Sequence, residues 1–291
     1  MTTRRFLQLD VFSPAPGSGN PLAVVLDAEG LDDAGMQAIA RWTRLPETTF
    51  VFTPQQPGSS YRLRMFSPQK EVPFAGHPSI GTAHAVLELG LAQPVEGLLV
   101  QEGIAGQLPL RVDGTGAQRR IAIRTPRARI GEIAAGQGDR LRDVLAGWPL
   151  GTLPPALMQG GRSWWVVEVA DEAALRALRP DWEAVATLAT ATDSMGVFAY
   201  ARCTARPWDV ATRAFVGNGR RFEDAASGAA NAVLAAWLDE RGALPAGRRD
   251  YQVSQGREVG HDARLHLAVD AEGDVWSGGQ VRTVIRGTLD W

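Results

Sequence analysis

Three residues stand where proton chemistry could be done. Glu47 follows Pro46 and leads through Thr48-Thr49 into the apolar run Phe50-Val51-Phe52, so its carboxylate can stand at the mouth of a pocket lined by the strand that follows. A partly buried carboxylate there can take and return a proton near neutral pH. A solvent-facing loop carboxylate explains the same residues. His77 lies between Gly76 and Pro78, at a turn that can project a side chain from rigid backbone. Asp224 follows Glu223 and stands shortly before Gly228, where either carboxylate could contact a substrate or cap a helix.

These residues recur in register. The stretch Gly76-His77-Pro78-Ser79-Ile80-Gly81-Thr82-Ala83-His84-Ala85-Val86-Leu87 returns 147 residues later as Glu223-Asp224-Ala225-Ala226-Ser227-Gly228-Ala229-Ala230-Asn231-Ala232-Val233-Leu234, sharing Gly-x-Ala-x-Ala-Val-Leu. The repeat implies two related halves with His77 and Asp224 in equivalent places. Two helix starts facing one cleft would aim unpaired N–H groups and helix dipoles at an anion. The backbone at Gly76, Gly228 and Ala229 and the hydroxyls of Ser79, Thr82 and Ser227 are therefore candidates for holding a substrate carboxylate, although plain capping or packing explains each hydroxyl as well. A small anionic organic substrate follows more naturally than a polymer.

Other chemistries find less support. His84, His261 and His266 have no cysteine or HExxH partner set, so structural zinc is not expected and each reads as a packed or surface residue. Cys203 is the single cysteine, which rules out an internal disulfide, fits a reducing compartment and leaves an inert thiol as the plain reading. Lys plus Arg total 30 against 32 for Asp plus Glu, a net charge of -2, so no global field draws a nucleic acid or an acidic membrane. No Gly-x-Gly-x-x-Gly follows the first strand, and Gly217-Asn218-Gly219 reads as an ordinary turn. No apolar run approaches membrane-spanning length, so a cytoplasmic protein is expected.

The elements that must position the candidates follow from periodicity. Phe6 to Phe12, Leu22 to Leu26, Phe50 to Phe52 and Tyr61 to Phe66 read as strands, and Asp32 or Asp33 caps a helix that buries Met36, Ile39 and Ala40 and ends before Pro46. A second helix is predicted from Pro78 or Ser79 to Leu89, with His77 just before its first turn. Leu98 to Val100, Gln107 to Val112 and Arg120 to Arg124 are further strands, with a domain boundary near Thr115 to Gln118. Later strands cover Trp164 to Val169, Gly196 to Tyr200, Tyr251 to Gln255, Arg264 to Val269, Asp274 to Trp276 and Val281 to Ile285, with helices at Glu172 to Leu178, at Trp182 to Thr190 and from the second repeat to Gly242. Hairpin-sized connections predominate over helical crossovers, which argues for mostly antiparallel α+β domains.

At these residues the chain resembles the phenazine-biosynthesis PhzF-like family of isomerases and epimerases. The resemblance is carried by Asp10-Val11-Phe12 with Gly17-Ser18-Gly19-Asn20-Pro21, by Leu45-Pro46-Glu47-Thr48-Thr49-Phe50, by Phe74-Ala75-Gly76-His77-Pro78 and by Phe222-Glu223-Asp224-Ala225-Ala226-Ser227-Gly228. It implies a diaminopimelate-epimerase-like α+β fold of two pseudo-symmetric, mostly antiparallel curled-sheet domains, each around a central helix. Residues 1–116, completed by 279–291, would form one domain and 117–278 the other, with the active site in the cleft between them. It also implies a homodimer and no metal or organic cofactor. Glu47 would move the proton, and His77 and Asp224 would position or polarise the substrate. Where family members commonly carry Ser at the first turn of the second helix this chain has Ala229, and losing that hydrogen bond to a charged substrate would cost about 1.5–3 kcal/mol. The expected function is a cofactor-independent isomerase that moves a proton at carbon in a small carboxylate. A related lyase or cyclisation catalyst, or a catalytically silent small-molecule-binding protein, is the alternative.

Overall fold

The computed structural model describes every residue, Met1–Trp291. In chain order its elements are β1 (Thr3–Val11), β2 (Asn20–Val25), α1 (Asp33–Thr43), β3 (Glu47–Phe52), β4 (Tyr61–Phe66), α2 (Gly76–Glu88), β5 (Leu98–Gly103), β6 (Gly106–Asp113), β7 (Arg120–Thr125), β8 (Arg129–Ile130), α3 (Gln137–Val144), β9 (Ala156–Gln159) and β10 (Trp164–Glu168). There follow α4 (Glu172–Ala177), α5 (Trp182–Ala191), β11 (Gly196–Arg202), β12 (Val210–Val216), β13 (Phe222–Asp224), α6 (Gly228–Glu240), β14 (Asp250–Gln255), β15 (Ala263–Val269), β16 (Val275–Gly279) and β17 (Val281–Asp290). The chain forms two compact units, Met1–Arg124 with Gly278–Trp291, and Thr125–Ser277.

In the first unit the strands pair in the order β17, β1, β2, β3, β4, β5, β6, β7, parallel at β2–β3 and β4–β5 and antiparallel at the other steps. The turn at Thr115 to Gln118 is the hairpin that joins β6 to β7, so it lies inside this unit and does not divide the chain. Helix α1 bridges the first parallel pair. Asp32 caps it by accepting the Gly35 N–H at 2.8 Å, and Arg44 ends it in the left-handed region. Its buried Met36, Ile39 and Ala40 pack with Phe50, Phe52 and Phe66.

Helix α2 bridges the second parallel pair and is buried all round from Gly76 to Leu87, as expected of a nearly charge-free helix. Each fully buried aliphatic side chain in such a core contributes about 1.5–3 kcal/mol. Gly81 sets its depth. A Cβ at that position would stand 2.4 Å from Leu22 Cδ2 and 2.9 Å from Val11 Cγ2. With helices on both faces, every residue of β3 after Glu47 is buried, which leaves Glu47 at the strand's open end.

The second unit repeats the plan. Its strands run β8, β9, β10, β11, β12, β14, β15, parallel at β10–β11 and β12–β14, with β13 added antiparallel to the far end of β12. Helices α4 and α5 bridge its first parallel pair and α6 its second. The succession antiparallel, parallel, antiparallel, parallel, antiparallel from β1 to β6 thus recurs from β9 to β15, so the sequence repeat reflects a repeated topology. The mainly antiparallel pairing agrees with the periodicity, but the parallel steps need helical crossovers that the hairpin reading left out. Elements β8, α3 and β9 carry no clear period in the sequence, and of α3 only Val144 is buried. No helix is long and apolar enough to cross a membrane.

Candidate functional site

Alternation along β3 places its first three side chains. Thr48 Oγ1 lies 2.8 Å from Thr43 Oγ1 of α1, and Thr49 Oγ1 lies 2.8 Å from Thr82 Oγ1 of α2. Glu47, two residues before Thr49, therefore shares the α2 face. There its Oε2 lies 3.2 Å from His77 Nδ1. The pair is asymmetric: His77 is 7% exposed, whereas the Glu47 side chain keeps 22%. The carboxylate is the member that a substrate can reach.

His77 lies inside the first turn of α2, because the helix starts at Gly76 rather than at Pro78 or Ser79. The N-cap is Ala75, extended and without a capping side chain, and Pro78 has no N–H. The first-turn donors left to α2 are thus the Gly76 and His77 amides. Ser79 Oγ donates to Ala75 O at 2.9 Å, and Thr82 Oγ1 reaches Pro78 O at 2.7 Å. These hydroxyls are spent on the helix backbone. In the neutral tautomer with its proton on Nδ1, His77 donates to the Glu47 carboxylate and keeps a lone pair on Nε2. That Nε2 is buried without a partner. Such an atom costs about 1–3 kcal/mol, which a bound donor would recover.

In the second unit, Glu223 and Asp224 are neighbours on β13 and point to opposite faces. Glu223 accepts from Arg213 Nε at 3.0 Å and Nη2 at 2.8 Å, a pair whose side chains are only 5% and 4% exposed. Arg213 Nη1 donates onward to Leu175 O at 3.1 Å and Leu178 O at 2.8 Å, at the end of α4. Asp224 accepts the Ala226 N–H at 3.3 Å through Oδ1. Neither carboxylate caps α6. The cap is Ser227, whose Oγ accepts the Ala230 N–H at 3.3 Å, leaving Gly228 and Ala229 as the first two helical residues.

This changes the equivalence drawn from the repeat. The 147-residue offset matches Gly81 to Gly228, but α2 and α6, each of 13 residues, start at Gly76 and Gly228. Counted from the helix start, the counterpart of His77 is Ala229, while Asp224 lies on the strand before the helix.

Residues that the sequence pattern does not single out hold the second helix start. Gln255 and Asn231 are fully buried beneath it, and Arg213 with Glu223 flanks it. Asn231 was visible as the lone polar residue in the Ala-Val-Leu run of α6; Gln255 gave no signal. Elsewhere, burial pushes the Cys203 thiol up to about 11, aided by the Glu172 carboxylate, which keeps it protonated and unreactive. Burial likewise lowers the affinity of His84 for a proton, and its Nε2 sits 3.0 Å from Glu88 in the packed first unit. No group of three or more His, Cys, Asp or Glu side chains could hold a metal ion.

Comparison with known proteins places this geometry. A family model described as phenazine biosynthesis-like protein matches residues 9–288. The chain is 31% identical to the Schizosaccharomyces pombe protein named Antisense-enhancing sequence 1 over 99% of both chains. It is 32% identical to trans-2,3-dihydro-3-hydroxyanthranilate isomerase of Pseudomonas aeruginosa, over 93% of this chain and 92% of that one. Among solved structures, a PhzF-family phenazine biosynthesis protein from Bacillus anthracis matches over 100% of both chains with a TM-score of 0.84 at 24% identity.

Proposed function

Because the chain belongs to the phenazine biosynthesis-like family and has the diaminopimelate-epimerase-like fold, we propose that this PhzF-like isomerase moves a proton between carbons of a small carboxylate, with Glu47 as the shuttle. The observation that carries the reading is the Glu47 carboxylate held 3.2 Å from His77 Nδ1 while the buried His77 Nε2 lacks a partner. Ionised Glu47 takes a proton from a substrate C–H, and the electron pair stays in the substrate's conjugated framework. The same carboxyl returns the proton at another carbon, so no atom is gained or lost. His77 fixes the orientation of Glu47 through Nδ1 and offers Nε2 to a substrate donor.

In this proposal the amides of Gly76 and His77 are the anion-binding candidates of the first unit, and Asp224 with the α6 start at Gly228 and Ala229 those of the second. Ser79 and Ser227 support the two starts through their backbone bonds. Action as a homodimer in the cytoplasm, without a metal or organic cofactor, belongs to the same proposal and rests on the family resemblance.

The test is mass-resolved deuterium incorporation in deuterated water across small amino and hydroxy carboxylates, including dihydroanthranilates. Incorporation or rearrangement should fall about 10²–10⁴-fold in Glu47→Gln, the usual worth of a positioned acid/base. Equal incorporation by parent and variant excludes Glu47 as the shuttle. Binding without exchange in the parent instead makes the chain a small-molecule-binding protein.

A further inference from the structure

One side-chain amide spans the segment that carries Asp224 into α6. Gln255, the last residue of β14, donates from Nε2 to Asp224 O at 2.9 Å and accepts through Oε1 from the Ser227 N–H at 3.2 Å. The same Oε1 accepts from Asn231 Nδ2 at 2.8 Å, and Asn231 Nδ2 also donates to Ser227 O at 2.9 Å. Gln255 thus imitates a neighbouring strand: it bonds the carbonyl at one end of Asp224–Ser227 and the N–H at the other. Its orientation is fixed by this network, since exchanging its oxygen and nitrogen would set donor against donor at Ser227 and acceptor against acceptor at Asp224.

The next residue shows the same seat independently. Gly256 adopts φ +93°, and a Cβ there would fall 2.3 Å from Ala225 O. The middle of the Asp224–Ser227 segment therefore rests directly on the Gly256 backbone, with no room for a side chain. The segment is also anchored upstream by the buried Arg213–Glu223 pair.

We propose that Gln255 is a positioning residue that sets the register between the Asp224 carboxylate and the first free N–H groups of α6, at Gly228 and Ala229, and so governs how tightly the carboxylate substrate is held. This rests on the functional reading above for its consequence in catalysis, while the clamp itself is independent of it. Gln255 reaches no substrate. It acts through a backbone carbonyl and a backbone N–H, and both must lie in one plane with its amide.

The experiment compares the full chain with Gln255→Leu and Gln255→Glu. Gln255→Leu removes both bonds to the segment; Gln255→Glu keeps the acceptors and replaces only the donor to Asp224 O. With a substrate identified by deuterium incorporation, Gln255→Leu should raise KM about tenfold with kcat within about threefold of the parent, and Gln255→Glu should fall between. A general loss of structure would instead reduce the active fraction without moving the KM of what remains.

A second measurement needs no substrate: the backbone amide signals of Ser227, Gly228 and Ala229 in a nitrogen–proton NMR spectrum, with the solvent exchange rate of the Ser227 N–H. Both variants should shift these signals, and Gln255→Leu should speed that exchange at least about tenfold. Unmoved signals overturn the clamp. Moved signals with an unchanged KM overturn its role in holding substrate. Lack of Glu47-dependent exchange in the parent removes the proton-transfer reading alone, and the amide signals still decide the clamp.

Discussion

Helix α2 begins on Ala75, which has no side chain to cap it, whereas α6 begins on Ser227, whose hydroxyl accepts the Ala230 N–H at 3.3 Å. Around the first start, Glu47 and His77 share one bond of 3.2 Å and His77 Nε2 is orphaned. Around the second, Gln255 and Asn231 bond the backbone of Asp224 and Ser227, and Arg213 holds the Glu223 side chain just upstream. Two helices of the same length thus divide the labour. The first start holds its ionisable pair by one bond, whereas the second is braced by several, although Asn231 Oδ1 there is also without a partner.

If that division is right, the largest effect on turnover belongs to the sparse start. Glu47→Gln should lower deuterium incorporation by about 10²–10⁴-fold while leaving the urea midpoint within the spread of surface variants. A matching loss of stability would mean that Glu47 is part of the scaffold, and the contrast between the two starts would fail.

The braced start should show the opposite pattern, a large effect on stability. Arg213→Ala leaves the Glu223 carboxylate buried and strips the bonds to Leu175 O and Leu178 O. Removing one partner of a buried pair costs about 3–5 kcal/mol, so the urea transition should move to clearly lower concentration. Replacing both partners, as Arg213→Met with Glu223→Leu, should recover much of that loss, because no charge is then left buried. Failure of the double change to recover stability would assign the cost to the α4 carbonyls instead of the carboxylate.

His77→Asn separates the two ring nitrogens. An Asn amide can replace Nδ1 as donor to Glu47 but has nothing at the place of Nε2. Turnover should drop by about ten- to a hundredfold, the worth of one bond to a charged or polarised group. Turnover equal to the parent would reduce His77 to a steadying partner of Glu47.

Much of the frame behind this contrast was legible before any coordinates. Tyr61 to Phe66 alternates and is β4, and Asp32 caps α1 because an Asp beside an apolar three-and-four spacing has few other uses. The repeated Gly-x-Ala-x-Ala-Val-Leu marks the second half of α2 and the first half of α6, where close packing dictates small residues. What escaped was local and uncapped. Gly76-His77 carries no start signal, so the pattern places the start of α2 two or three residues too late, and α3 leaves no apolar period because it buries only Val144. The Gly-bearing turn at Thr115 to Gln118 has the composition of a linker, but composition does not separate a linker from a hairpin. Gln255 was invisible for another reason. A side chain that bonds two backbone groups 28 and 31 residues away leaves no period in the sequence.

The smallest effects test the contrast most directly, because one chemical change can be made at both starts with opposite expected signs. Ser227→Ala removes the cap of α6 and should cost about 1 kcal/mol of stability. Ala75→Ser adds a cap to α2. Ala75 already has the extended conformation of a capping residue, with φ -152° and ψ 139°, and since Pro78 has no N–H, the hydroxyl must accept the His77 amide. Stability should rise by about 0.5–1 kcal/mol, read as a higher urea midpoint at unchanged slope. The same bond withdraws the His77 amide from any substrate carboxylate, so KM should increase as the fold tightens. A gain in stability together with an increase in KM identifies the bare start of α2 as stability given up for binding. A gain in stability with KM unmoved would show that the His77 amide faces no substrate, and the carboxylate would then be held without α2.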